Sequence, residues 1–381
     1  MPAALVALCF GNFIIGTGTL VVPGMLPALA EDLQVGLPVA GQLVSAFAFT
    51  VCISAPLLAG ATSRFDRRKL LFSMQLLYVA GHVAAALVSS FAPMLVARVL
   101  TSFGAALFTA QAAATAALLV APEKRGRAIA FVFLGWSLAS VIGVSLGAYI
   151  AAKLGWRFGY LLVAAGAVVS AIGVWRYVPA GLNVQPVDVR MWKAILGNRM
   201  LLALIAVTFL QSAPQFVILA YIVPATTTYL DASPEKLGIL LTAFGAVGVL
   251  GNVLAARFMD KAGAHNVALA AMLCMLAAHL VWPWAVGSTA LYALVLFLWG
   301  LGCFAANGAQ QARLAALAPQ QASVSVALNS SALYLGQAVG PAIGGLILAH
   351  STGVAAYQSL ALVSVPLFVA AIAVSALAAR R

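Results

Sequence analysis

Two stretches decide the fold: Ala139-Ser140-Val141-Ile142-Gly143-Val144-Ser145-Leu146-Gly147 and Gly336-Gln337-Ala338-Val339-Gly340-Pro341-Ala342-Ile343-Gly344. Each sets small residues four apart inside a long uncharged run. That spacing puts them on one helix face, where they let two backbones approach closely. The stretches are related by a constant offset of 197, which also carries Ala121-Pro122 onto Ala318-Pro319. A fixed offset over such a distance marks an internal duplication.

Around these stretches the chain is too apolar for water. Of its 381 residues 64% are hydrophobic and 7% are Asp, Glu, Lys or Arg, against about 25% charged in soluble domains. Charge-free runs long enough to cross a bilayer, roughly 20 residues, recur along its length: 3–30, 33–63, 70–97, 99–122, 128–152, 200–230, 237–256, 262–312 and 314–379. The last two must fold back, at Gly287-Ser288-Thr289, at Pro319-Gln320-Gln321 and at His350-Ser351-Thr352-Gly353. Residues 158–175, bounded by Arg157 and Arg176, supply a shorter span. The runs do not alternate as barrel strands do. The reading is an all-α membrane protein of twelve transmembrane helices, near 3–29, 37–62, 69–90, 92–120, 126–152, 156–178, 199–229, 235–258, 265–286, 289–317, 321–349 and 353–378. They form two six-helix halves, 1–178 and 199–381, joined by a polar cytoplasmic linker, 179–198, with a short surface helix at Met191–Leu196. Halves of this kind imply a solute site near the midplane and transport by rocking.

The net charge of +12 raises the question of nucleic acid, and its distribution answers it. With the N-terminus inside, sixteen of the 20 Lys and Arg residues fall on the cytoplasmic side, including Arg64, Arg67, Arg68, Lys124, Arg190 and Arg313. That asymmetry is the positive-inside rule, so the basic balance reports topology, with both termini cytoplasmic. The four cysteines lie inside apolar runs without metal spacing. No metal cluster, phosphate loop or nucleophile–base pair appears, so neither an enzyme nor a cofactor is expected. Ala28-Leu29-Ala30 looks like a signal-peptidase site, but the segment before it lacks a basic start and is too long for a signal core, so it reads as the first span.

Several motifs, in order, carry a family likeness: Gly16-Thr17-Gly18-Thr19 running to Gly24-Met25-Leu26-Pro27, Ala40-Gly41-Gln42, Ala97-Arg98-Val99-Leu100-Thr101-Ser102-Phe103-Gly104, Pro122-Glu123-Lys124-Arg125-Gly126-Arg127, Gly155-Trp156-Arg157 and Gly340-Pro341-Ala342-Ile343-Gly344-Gly345. The chain resembles the major facilitator superfamily, particularly the bacterial drug:proton antiporter branch with its arabinose, sugar and purine efflux permeases. The resemblance implies a monomeric inner-membrane exporter of a small solute. It also implies that Arg98 serves proton coupling. A charge within a span faces protein or a water-filled cavity, or else snorkels to the interface.

The resemblance implies a conformational gate at Arg64, Asp66, Arg67 and Arg68, although the acid expected at the fifth motif position is Arg64 here. A plain positive-inside anchor is the other reading. It implies pivots at Gly143, Gly147, Gly340, Pro341 and Gly344, with Ser145 standing where the family has a proline. Spans 1, 4, 7 and 10 line the cavity in this fold, so their polar residues are solute candidates: Asn12, Thr17 and Thr19; Thr109 and Gln111; Gln211, Gln215 and Tyr221; Asn307, Gln310 and Gln311. Interhelical hydrogen bonding is the structural alternative for each. Uncharged amides and hydroxyls suit a neutral solute, and Phe13, Phe108, Phe216 and Phe304 can stack a ring. His82 and His279 lie on peripheral spans, where packing outweighs a proton relay. All eight acids fall at loops or helix ends, and Thr19 stands where the family often has a carboxylate. The partners expected are therefore a small-molecule solute, membrane lipids and, if coupling holds, protons. An uncoupled facilitator and a transporter-like receptor or lipid-handling protein are the other readings.

Overall fold

The computed structural model describes residues 3–62, 64–182, 197–318 and 322–379. Among them every regular element is helical. The N-terminal part holds α1 (Ala3–Asp32), α2 (Leu37–Ala61), α3 (Arg67–Leu87), α4 (Phe91–Leu118), α5 (Arg125–Lys153) and α6 (Trp156–Tyr177). The C-terminal part holds α7 (Arg199–Leu219), α8 (Ile222–Leu230), α9 (Pro234–Val281), α10 (Thr289–Leu317), α11 (Ala322–His350) and α12 (Gly353–Ala379). The linker helix expected at Met191–Leu196 lies outside the described residues.

Polar punctuation starts these helices. Asp66 caps α3 through the Lys69 amide (2.9 Å), Asn198 caps α7 through the Met200 amide (3.0 Å), and Ser288 caps α10 through the Leu291 amide (3.2 Å). Each cap satisfies a backbone donor that the first turn leaves open.

Among the described residues eleven helical stretches are long and apolar enough to cross a membrane. One of them, Pro234–Trp284, is 51 residues long, which at about 1.5 Å per residue is more than twice a bilayer core of about 30 Å. Gly263, at φ 79° and ψ 151°, breaks it into two arms. Counting those arms separately gives twelve crossings. The seventh span, expected as one helix, is instead α7 and α8 separated at Ala220-Tyr221. Pro224 explains the break: it has no N–H to offer the Ala220 carbonyl four residues back, and its ring crowds that carbonyl.

The described residues form two compact units. One comprises the described residues of 3–35 and 46–182, the other those of 36–45 and 197–379. In the first, α1 packs on α5, and α3 packs on α4 and α6; in the second, α7 packs on α11 and α12, and α9 packs on α10. The α1–α5 pair recurs as α7–α11, and the glycines of the duplicated stretch lie in both seams. A Cβ on Gly143 would stand 2.7 Å from the Leu20 Cβ, and one on Gly344 2.6 Å from the Val217 carbonyl oxygen. The α2 helix is shared between the units: its first turns, to Ser45, cluster with the C-terminal unit, and the rest with the N-terminal one. In the C-terminal unit Tyr221 fills the seam beside α2, and its hydroxyl lies against both Gly41 and Gly345.

Candidate functional site

The N-terminal unit buries a cation. Arg98, on α4, is 1% exposed. One of its terminal nitrogens reaches the Gly18 carbonyl of α1 at 3.4 Å, a long bond, and its guanidinium carbon lies 4.4 Å from the centre of the Phe47 ring of α2. Its Nε has no partner. Snorkelling is not what this side chain does, since it turns into protein. Around it stand His82 of α3 and Tyr160 of α6, both fully buried and both within electrostatic reach. The His82 ring lies against Tyr78 (4.2 Å) and Tyr160 (5.7 Å), tilted at 53° to each. No carboxylate pairs with Arg98 among the described residues. A cation held this way in an apolar setting is held by weak, sequence-distant contacts.

At the other end of the unit the four gate candidates take different positions. Arg64 is exposed. Arg67 is fully buried: it donates to the Gln111 side-chain oxygen of α4 at 2.6 Å and to the Thr62 carbonyl at 3.2 Å, while its amide donates to the Leu182 carbonyl. Arg68 lies over the Trp175 ring of α6, 4.7 Å from its centre. Asp66 caps α3 and also accepts from the Gly181 amide. Burial pushes the Asp66 carboxyl up, but the Lys69 and Gly181 amides, with the charges of Arg68 and Lys69, outweigh it and hold the group below its ordinary range. These residues therefore tie α3 to α4, to α6 and to Gly181 and Leu182, the start of the segment after α6.

The solute candidates divide by what their polar atoms already do. Asn12 donates to the Val132 carbonyl of α5 (3.2 Å), but its oxygen has no partner. Thr17 and Thr19 donate to carbonyls of their own helix, and Gln111 is taken by Arg67. The Thr109 hydroxyl has no partner. In the C-terminal unit the Gln211 side-chain oxygen has none either, whereas Gln215 accepts from the Trp299 indole (3.3 Å) and donates to the Gln211 carbonyl (2.8 Å). Tyr221 donates to the Pro341 carbonyl at 2.8 Å. Asn307 accepts from Asn329 (3.3 Å), which in turn accepts from Thr208. Gln310 donates to the Leu204 carbonyl and accepts from Arg313. Gln311 is partly exposed.

Two groups here escape a reading of the sequence. Asn329 and Thr208 join α11 to α7 beside Asn307, and no spacing announces the contact. Arg313, which charge distribution assigns to a cytoplasmic end, is buried and bonds to Gln310 (2.7 Å) and to the Ser375 hydroxyl of α12 (2.8 Å). Charge patterning places a cation along the chain and is silent on its depth.

Known proteins bear on this arrangement. The family profile described as Major Facilitator Superfamily matches residues 8–224 and again 207–381. The inner membrane transport protein YdhP of Escherichia coli K12 is 28% identical over 349 residues, covering 92% of this chain and 90% of that protein. A chloramphenicol resistance protein of Streptomyces lividans is 31% identical over 359 residues, covering 93% and 91%. The crystal structure of the nucleoside transporter NupG superposes with a TM-score of 0.80 over 98% of both chains at 12% identity, a likeness of fold.

Proposed function

Because this chain belongs to the major facilitator superfamily and is a membrane transporter of that kind, we propose that it exports a small, uncharged, hydrogen-bonding solute by alternating access, in exchange for protons. The observation that carries the choice of solute is that two of the predicted contacts keep orphaned acceptors: the Asn12 oxygen on α1 and the Gln211 oxygen on α7 are buried without partners. Buried polar atoms are seldom left so, and a solute bearing hydroxyl or amide donors satisfies them without bringing a charge. Direction rests on a weaker support, the printed name of the Streptomyces relative, which is a resistance protein. Chloramphenicol is an uncharged molecule with hydroxyl and amide groups, and it is the first probe to use.

In this reading the solute contacts are Asn12, Thr19 and Gln111 from the N-terminal half and Gln211, Gln215, Tyr221, Asn307 and Gln311 from the C-terminal half. Gly143, Gly147, Gly340, Pro341 and Gly344 are the pivots. Arg64, Asp66, Arg67 and Arg68 form the gate, with Asp66 and Arg67 acting through their bonds to Gly181, Leu182 and Gln111. The halves are 1–178 and 199–381, joined by 179–198, with both termini in the cytoplasm of a bacterial cell and the protein working as a monomer. Arg98 serves coupling: no acid is inside a span to neutralise it, so its charge acts on whatever binds nearby.

Purified protein in liposomes tests both parts. An imposed pH gradient is expected to drive chloramphenicol across the wild-type membrane, and Arg98→Ala to abolish that movement while leaving expression and folding intact. Flux that ignores the gradient would reject antiport in favour of a facilitator. Absence of flux for chloramphenicol and for a metabolite panel would reject the transport of such solutes.

A further inference from the structure

His82 and His279 are separated by 197 residues, the offset of the duplication. They are the same position of the two halves. Both rings are fully or almost fully buried, at 0% and 1% exposure. Both set Nδ1 against the carbonyl four residues back, Tyr78 at 2.9 Å and Met275 at 2.8 Å. A carbonyl only accepts, so Nδ1 carries the hydrogen, and Nε2 in the neutral ring is a lone pair. Each ring sits in an aromatic cage: Tyr78 and Tyr160 around His82, Trp299 and Phe368 around His279. Even the neighbouring Phe47 has its repeat, Phe244, packed on Trp299 at 5.1 Å.

The two settings differ in detail: the repeats of Tyr78 and Gly18 are Met275 and Gln215, and Trp299 and Phe368 stand at the repeats of Ser102 and Ala171. The repeat of Arg98 is Val295, which is 1% exposed. The C-terminal half therefore keeps a buried, carbonyl-bonded histidine with an apolar residue at that place. Burial disfavours a charge on either ring, and at His82 the Arg98 guanidinium adds to it. The groups facing His82 are Arg98 from α4, Tyr160 from α6 and Tyr78 on its own helix; α1 presents Gly18, whose missing side chain leaves room for Nε2. Nε2 of His82 has no hydrogen-bond partner.

We propose that Nε2 of His82 is a proton-binding site governed by Arg98, and that it takes the place of the carboxylate absent from the first span. The proposal rests on the antiport reading for its role in the cycle. With Arg98 in its present seat, a proton on His82 sets two cations in one apolar site with no anion facing them, and the ring stays neutral. When Arg98 moves off, Nε2 accepts one proton and the ring becomes an imidazolium with Nδ1–H unchanged. The seat of Arg98 suits such a move: a 3.4 Å bond to Gly18 and the Phe47 ring. Phe47 belongs to α2, so a shift of that helix acts directly on the guanidinium.

The test needs no solute. Full-length protein with 15N-labelled histidine, in phospholipid nanodiscs, is titrated from about pH 3 to pH 8, and the imidazole nitrogen shifts of the four histidines are assigned with H82Q and H279Q. Removing the charge in R98Q or R98M is expected to strengthen proton binding by His82 on the order of tenfold or more, the effect of one unit charge at short range. R98K is expected to titrate as wild type, and His279 to be unmoved throughout. R98M keeps the test alive if R98Q fails to fold, since Val295 shows that an apolar residue fills this position. His82 titrating alike in wild type and both neutral variants would overturn the proposal, as would an equal shift at His279. Failure of pH-driven flux would instead count against antiport, so the two readings fail separately.

Discussion

Replacing Gly344 by alanine adds one methyl group at a helix–helix contact too close to hold it. The new Cβ would stand 2.6 Å from the Val217 carbonyl oxygen and 2.8 Å from the Tyr221 ring, where ordinary contact begins at 3.4 Å. The carbonyl belongs to the α7 backbone and cannot rotate away, so α7 and α11 must part by roughly 0.8 Å, the gap between those distances. Overpacking of this kind costs about 1–3 kcal/mol. Alanine also returns about 1 kcal/mol over glycine as a helix former, so Gly344→Ala alone should fall by up to about 2 kcal/mol. The comparison that isolates packing is Gly238→Ala on α9, where a Cβ meets nothing within 4 Å. That variant collects the helix gain and no clash, so the two should differ by about 1–3 kcal/mol. Thermal unfolding of the purified proteins, followed by tryptophan fluorescence, reads the difference. Equal shifts in the two variants would refute the close-packed seam and with it the role of these glycines as pivots.

Tyr221→Phe removes the hydroxyl bonded to Pro341 and should lower stability by about 0.5–1.5 kcal/mol, measured in the same melts. Ser375→Ala takes the hydroxyl acceptor from Arg313, and the loss should reach about 1.5–3 kcal/mol because the donor is charged. Asp66→Asn tests the linker tie through pH. The Asp66 carboxyl is held below its ordinary range in the folded chain, so its stabilisation is present above the unfolded value of about 4 and is lost as pH falls through the folded one. The melting difference between wild type and Asp66→Asn should stay constant from about pH 5 to pH 8 and shrink below about pH 4; a difference independent of pH down to about pH 2 would show that the carboxylate charge plays no part.

The twelve crossings were legible because lipid imposes a simple rule on composition, and the duplication because small residues on a close seam have few substitutes. Gly263 was legible too, since Asp260 and Lys261 interrupt the apolar run beside it. The break at Ala220-Tyr221 was missed because the surrounding residues are as apolar as any span, and Pro224 acts on a carbonyl one turn away. The site was less readable still. Asn12, Gln111 and Tyr221 were found by residue type, yet whether each has spare hydrogen-bonding capacity depends on Val132, Arg67 and Pro341, which are distant in sequence. Arg313 read as a loop cation because its partner Ser375 lies two helices on. His82 and His279 read as filler until their shared offset was set beside the cation that only His82 has for a neighbour.

A cation inside a span must also pass through the insertion machinery. On insertion scales an arginine opposes entry by about 2.5–3.5 kcal/mol at a helix centre and by less towards its end; Arg98 lies about two turns into α4 (Phe91–Leu118), which is among the less hydropathic spans of the chain, with a mean hydropathy of 1.6. The groups that receive Arg98 come before it: Gly18, Phe47 and His82 belong to α1, α2 and α3, and only Tyr160 follows. Synthesis from the N-terminus thus delivers the arginine to a receptor already made. A circular permutant opened between α3 and α4 would send Arg98 into lipid with none of those three present, and should insert α4 poorly. The matching cut before α10, where Val295 stands, carries no such burden, so the order of helices in the N-terminal half is constrained by biogenesis in a way that the C-terminal half escapes.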